Sequence, residues 1–173
     1  MVFVKPVAPE EIRASFVNCT AGEAKRLPLP RDLGDLPWND LDFLGWRDLG
    51  APDRSYLVVE IGRRLVGVTM RLTSTKRGFL HRSMCSLCFT SHPGTGVSLM
   101  AARKAGAAGR EANSAGLYIC SDLDCSLYVR GKKQPSGADR PAETLSVDDQ
   151  VARMMSNLTE FLRKLDAFTA PAW

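Results

Sequence analysis

Four of the five cysteines fall into two close pairs, Cys85-Ser86-Leu87-Cys88 and Cys120-Ser121-Asp122-Leu123-Asp124-Cys125, separated by 31 residues. Two short turns that each present a pair of sulfurs are what tetrahedral zinc requires, provided the fold brings them together. Four sulfur ligands close the coordination sphere, so such a site is structural and leaves no position for water or substrate. Two other readings of the same residues stand beside it. The first is four unrelated buried thiols. The second is a redox C-x-x-C pair, which lacks the expected βαβ context and leaves the second pair unexplained. His81 and His92 each stand four residues outside the first pair and could replace a cysteine as ligand or support the site from behind. An odd cysteine count precludes complete internal disulfide pairing, and Cys19 reads as a small buried hydrophobe.

The elements needed to hold such a site are legible around it. Residues 56–61 and 65–72 are rich in β-branched side chains and are separated by Gly62-Arg63-Arg64, which predicts a hairpin. Gly78 to Met84 supplies a third strand that ends at the first cysteine pair. Residues 96–103 and 115–119 predict two more, with a helical reading of the Ala-rich part between them left open. Ser121 to Asp124 offer capping groups for a short helix through Tyr128. Knuckle, hairpin, then helix is the order of a treble-clef zinc finger. A helix from Ser146 carries Val151, Met154, Met155, Leu158, Phe161, Leu162 and Leu165 at helical spacing, a core-facing stripe.

Upstream, Pro9-Glu10-Glu11 opens a short amphipathic helix over 9–19, with Ile12, Phe16 and Cys19 on one face. The proline-rich stretch from Leu27 to Pro52 reads as a loop, pinned to the domain by Trp38, Leu41, Phe43, Leu44 and Trp46. The expected fold class is α+β in a single domain over 1–173, an antiparallel β-sheet with a four-cysteine treble-clef zinc finger and a C-terminal amphipathic helix. Its parts are the N-terminal helix and Pro/Trp-rich loop (1–55), hairpin and strand (56–84), finger (85–130) and C-terminal helix (144–168).

Composition narrows the function classes. With 173 residues, 45% of them hydrophobic and 24% charged, the chain is an ordinary globular domain. It lacks an apolar stretch of the roughly 20 residues a membrane span needs, and its N-terminus does not read as a secretory signal. A cytoplasmic protein without membrane or small-molecule partners is the expectation. No P-loop or dinucleotide-binding glycine motif is present, and two histidines give nucleophilic catalysis little material, so an enzyme is not expected. Asp122 and Asp124 read as helix-capping groups and as counterions for nearby basic side chains rather than as an acid/base pair. The net charge of +4 is concentrated: residues 76–133 carry nine basic and three acidic side chains. Arg103, Lys104, Arg110, Arg130, Lys132 and Lys133, with Tyr118 and Tyr128 as aromatic anchors, are the candidate partner-binding residues.

Three segments, Cys85-Ser86-Leu87-Cys88, Ala102-Arg103-Lys104-Ala105-Gly106 and Tyr118 through Arg130, resemble the C-terminal treble-clef domain of the elongation-factor-G-binding, fusidic-acid-resistance-type proteins. Asp42-Phe43-Leu44-Gly45-Trp46-Arg47-Asp48 resembles the single-domain actinobacterial members. The resemblance implies Zn2+ held by Cys85, Cys88, Cys120 and Cys125. It also implies binding to elongation factor G and promotion of its release from the ribosome, linked in some members to fusidic acid resistance. Because elongation factors are generally acidic, the basic middle segment would be steered toward such a partner. The alternative is a zinc finger that binds RNA, ribosomal RNA included, through the same basic segment and its tyrosines.

Overall fold

A computed structural model describes residues 5–73, 82–137 and 143–170. Five strands are the core of the architecture: β1 is Leu44–Arg47, β2 Arg54–Ile61, β3 Arg64–Leu72, β6 Val97–Arg103 and β7 Ser114–Cys120. They form one antiparallel sheet in the order β1-β2-β3-β6-β7. The β2–β3 hairpin turns on Gly62 and Arg63, both at positive φ, and pairs Ile61 with Arg64. Two residues at positive φ make the turn whose twist matches the strands. The loop expected at 62–64 is therefore one residue shorter.

Alternation along β2 sorts side chains into two cores. Leu57 and Val59 join Val66, Val68 and Met70 of β3 in one core, which contains all four paired cysteines. The same core takes the buried stripe of α5 (Val147–Lys164): Val151, Met154, Leu158, Phe161 and Leu162, with Leu165 just beyond. Ser146 caps α5 through the Asp149 N–H, as the sequence predicts, and the helix occupies the centre of the 144–168 segment assigned to it. Tyr56 and Val58 point the other way, into a second core with Leu44, Trp46, Trp38 and Leu41. Ile12 of α1 (Pro9–Ala14) and Ala24 of α2 (Ala21–Arg26) close that core.

Several expectations are corrected here. The first helix ends at Ala14 instead of reaching Cys19. The backbone beyond it is taken by β3: Val17 N–H donates to the Gly67 carbonyl at 3.0 Å, and Gly67 N–H donates to Ser15 O at 2.9 Å. Cys19 is buried in the core of Trp46 and Tyr56 all the same, and burial pushes its thiol up to about 11. The proline-rich stretch contains β1, an edge strand paired from Leu44↔Val58 to Arg47↔Ser55, where a loop was expected. The third strand predicted over 78–84 lies outside the described residues up to His81. Its end, β4 (Ser83–Met84), pairs with β5 (Ser91–His92) across the first cysteine turn and does not join the main sheet. The Ala-rich stretch forms a short helix, α3 (Gly106–Arg110).

Asn18 ties the N-terminal segment to the sheet. Its Oδ1 accepts from the Thr69 N–H at 2.8 Å, and its Nδ2 donates to the carbonyls of Thr69 and Arg103 at 2.9 and 3.0 Å. The residue is 2% exposed. Asn18→Ala strands buried backbone groups that each cost about 1–3 kcal/mol when unpaired. We expect a loss of about 2–4 kcal/mol in urea unfolding, with zinc content unchanged; a loss below the error of the fit would contradict this role.

Candidate metal centre and its surroundings

The first cysteine turn is a knuckle closed by backbone hydrogen bonds. Phe89 N–H donates to Cys85 O, and Cys85 N–H donates to Thr90 O, both at 3.0 Å. Phe89 takes φ 57°, which folds the chain back and turns Cys88 toward Cys85. The second pair lies where β7 runs into α4 (Cys125–Val129). There Leu123 N–H donates to Cys120 O at 2.9 Å, with Leu123 at φ 63°. Antiparallel β6 and β7 connect the two turns, so the order is knuckle, hairpin, helix.

The four sulfurs lie within 4.8 Å of one another, and every residue is at most 2% exposed. Cys88 Sγ is 3.5 Å from Cys120 Sγ, and Cys85 Sγ is 3.8 Å from Cys125 Sγ. A tetrahedron with Zn–S of about 2.3 Å has edges of about 3.8 Å, whereas a disulfide would need about 2 Å. The distances fit zinc and do not fit a disulfide, and all five cysteines are free thiols. The donor set makes the same demand. Hydrogen bonds from Cys120, Cys125 and Cys85 hold the Cys88 thiol far below its ordinary range, while burial pushes Cys125 well above it. Four sulfurs this close ionise together only when a cation compensates them. Cys85, Cys88, Cys120 and Cys125 thus form a Zn2+ site.

A second layer of groups holds this set. His92 Nε2 is 3.3 Å from Cys120 Sγ, and burial keeps its ring below the usual histidine pKa. The neutral ring in the Nε2–H tautomer donates to the sulfur, so His92 supports the site and does not replace a ligand. The Leu87 N–H donates to Cys85 Sγ at 3.4 Å. Asn157 on α5 donates to the Ser86 and Leu87 carbonyls at 3.2 Å, latching the C-terminal helix onto the knuckle. Asn157 and Thr90 were missed by sequence reasoning, and neither carries a signal in its own neighbourhood that marks it as a support of the site. His81 lies outside the described residues.

The candidate partner-binding residues separate into two sets. Tyr118 is 44% exposed, and Arg103, Arg110 and Lys132 are exposed too. Lys104 pairs with Asp166 at 3.5 Å on the surface. Tyr128 and Arg130 are held within the fold and are not offered to a partner, whereas Lys133 pairs with acids at the surface, its side chain 41% exposed. Tyr128 is 5% exposed, lies edge-on to His92 at 4.7 Å and donates its hydroxyl to Asp122 at 2.6 Å. Lys133 Nζ reaches Asp122 at 2.9 Å and Asp124 at 2.7 Å. Burial alone would raise the Asp122 carboxyl, but hydrogen bonds from Tyr128, Lys133 and the Asp124 N–H hold it below the usual range. Asp124 makes no side-chain cap on α4, so the acids act as counterions here and only the backbone of the loop is braced. Arg130 forms a two-pronged ion pair with Asp42, whose side chain is fully buried.

Among the described residues, no helix is long and apolar enough to cross a membrane. No curated protein matches the chain. Its fold is similar to that of the fusidic acid resistance protein FusC, with a TM-score of 0.51 at 20% identity, over 81% of this chain. The chain spans about half the length of that protein, 52% of it. A model of the FBP C-terminal treble-clef zinc-finger family matches residues 11–165, which include β1 to β7, the four cysteines and α5. The chain, with its closed four-cysteine knuckle, hairpin and helix, belongs to the FBP C-terminal treble-clef zinc-finger family.

Proposed function

We propose that this chain is a non-enzymatic, cytoplasmic zinc protein that binds elongation factor G and promotes its release from the ribosome. On this reading it belongs to the same kind of fusidic-acid-resistance-related activity that FusC is named for. Family membership carries the proposal. Closure of the zinc sphere by four buried sulfurs supports a positioning role for the metal, since nothing can exchange at it. The finger also presents large apolar groups to solvent: Met84 is 54%, Phe89 42% and Tyr118 44% exposed. Phe89 follows the first cysteine pair and Tyr118 precedes the second. The Ser86 N–H donates to Tyr118 O at 2.8 Å, which brings knuckle and strand side by side. Rigid aromatic anchors rimmed by charge are typical of the centre of a protein interface.

Calorimetric titration of the zinc-loaded protein into elongation factor G of the same organism tests this. We expect one-to-one binding that Tyr118→Ala and Phe89→Ala each weaken by about tenfold or more, the loss of one aromatic hot spot. Absence of heat at several temperatures, with zinc retained, overturns the proposal. RNA binding by the finger would give a steep logarithmic salt slope, where a protein interface gives a shallow one. Burial of Tyr128 removes one of the two rings that RNA stacking would use.

A further inference from the structure

A cleft of about 770 Å3 lies between α2 and the sheet, lined by Asn18, Cys19 and Tyr56 and by further residues of β2, β3 and β6. Its charged wall carries Arg26, Arg54, Arg71 and Arg103 against Glu23 and Asp48. Arg54 and Arg71 are direct register partners in the β2–β3 ladder. Like charges placed opposite one another weaken a ladder, so the sheet carries this pair at a cost that a bound anion would offset. The wall carries four guanidiniums against two carboxylates; Glu23, held low first by hydrogen bonds from Thr20, also feels the charges of Arg26 and Arg103. Asp48 accepts from the Gly50 and Ala51 N–H groups and from the Tyr56 hydroxyl, and Glu23 accepts from the Thr20 N–H in a capping box. Among the described residues, the guanidiniums of Arg26, Arg54 and Arg71 have no hydrogen-bond or ion-pair partner.

From this arrangement we infer that the cleft is a binding site for a phosphorylated small molecule of nucleotide size. Adjacent guanidiniums match phosphate oxygens in two-pronged geometry, better than lysines would. The volume falls in the range of about 300–1,000 Å3 typical of small-molecule sites. Pro28, with the edge of Leu27, offers an apolar wall beside the charges, suited to the body of such a ligand, and Ala101 and Ser114 keep the floor open. A flat basic face would favour extended RNA, whereas a recess with one apolar wall favours a compact ligand. This site is apart from the zinc cysteines and stands independently of elongation factor binding.

Calorimetry and equilibrium dialysis of the zinc-loaded full chain with ATP, GTP and pyrophosphate test it. We expect saturable binding at one site. Arg54→Gln and Arg71→Gln should each weaken it by about tenfold or more, the loss of one charge-assisted pair of hydrogen bonds. Glu23→Gln, which keeps the capping box hydrogen bond, should strengthen binding, an effect that damage to the fold would not produce. Arg64→Gln serves as control: it lies seven residues along β3 from Arg71, about 23 Å away, and should leave affinity unchanged. Absence of saturable binding to all three compounds overturns the inference. Affinity that survives both cleft substitutions does so too, as does a single-stranded oligoribonucleotide that binds more tightly than any mononucleotide.

Discussion

Cys125→Ser is expected to purify with well under one zinc per chain and to lose its cooperative thermal transition. Structural zinc contributes an apparent ~10–16 kcal/mol in small zinc domains, and a domain's whole net stability is about 5–15 kcal/mol. A hydroxyl in place of the thiolate cannot ionise at neutral pH to complete the sphere, and it leaves three sulfurs within 4.8 Å of one another, without the charge compensation that keeps them together. Damage should spread beyond the finger, because the four cysteines share one core with the α5 stripe and with Leu57, Val66 and Val68 of the central hairpin. Zinc quantified in the purified protein, together with calorimetric melting, checks this, and a chelator added to the unmodified chain should reproduce the mutant. Full zinc occupancy with unchanged melting in Cys125→Ser would mean that Cys125 is not a ligand on which the fold depends. A graded comparison comes from His92→Ala, which removes the donor to Cys120 Sγ at 3.3 Å. Loss of such a supporting group typically lowers metal affinity about 10–100-fold, so this variant should keep zinc during purification and release it earlier under chelator competition.

The parts of this structure legible in the sequence are those whose signal is local. Cysteine spacing gives the metal ligands, β-branched runs give β2 and β3, the apolar stretches on either side of the small, polar segment 104–114 give β6 and β7, and the 3.6-residue stripe gives α5. Misreadings fall where a long-range contact overrides a local pattern. Phe16 keeps helical spacing with Ile12, yet its neighbours' backbone groups are bound to Gly67 of β3. β1 is four residues long with a glycine inside it, too short for alternation to show, and it exists because β2 offers an unpaired edge. A Cβ at Gly45 would sit 2.6 Å from the Leu123 Cβ, so the glycine there serves close approach to the second knuckle and carries no turn. α2 did have a readable signal, since Thr20 and Glu23 form a capping box, and the prolines that follow obscured it. For the surface residues, type and charge could not separate Arg130 and Tyr128 from Arg103 and Tyr118. Pairing of Arg130 with Asp42, distant in sequence, and of Tyr128 with Asp122 is what holds the first two inside the fold.

Asp42→Ala should destabilise the protein by about 3–5 kcal/mol, the cost of leaving a buried guanidinium without its partner. The Arg130 side chain is 7% exposed and that of Asp42 fully buried, so water cannot take the missing carboxylate's place. Position makes this pair matter more than its own energy. Asp42 lies just before β1 and Arg130 just after α4; the Asp42 N–H also donates to Ser126 Oγ on that helix at 3.0 Å. Five residues on, Arg47 donates to the Ser121 carbonyl in the second knuckle at 3.2 Å, and Asp48 ties the β1–β2 turn through Gly50, Ala51 and Tyr56. The Asp42–Asp48 stretch, marked in the sequence by resemblance and by the apolar Phe43, Leu44 and Trp46, thus works as a clasp that holds the N-terminal half against the zinc finger. Equilibrium urea unfolding measures the loss, and the zinc content of Asp42→Ala should stay near one per chain, which separates a loosened clasp from a broken metal site. The double variant Asp42→Leu with Arg130→Met supplies the decisive comparison. Replacing a buried pair by apolar groups of similar volume is often neutral or stabilising by about 1–4 kcal/mol, so the double variant should recover most of what Asp42→Ala loses. A double variant as unstable as the single one would show that the clasp depends on these hydrogen bonds themselves, and an Asp42→Ala variant of unchanged stability would show that the two halves hold together without it.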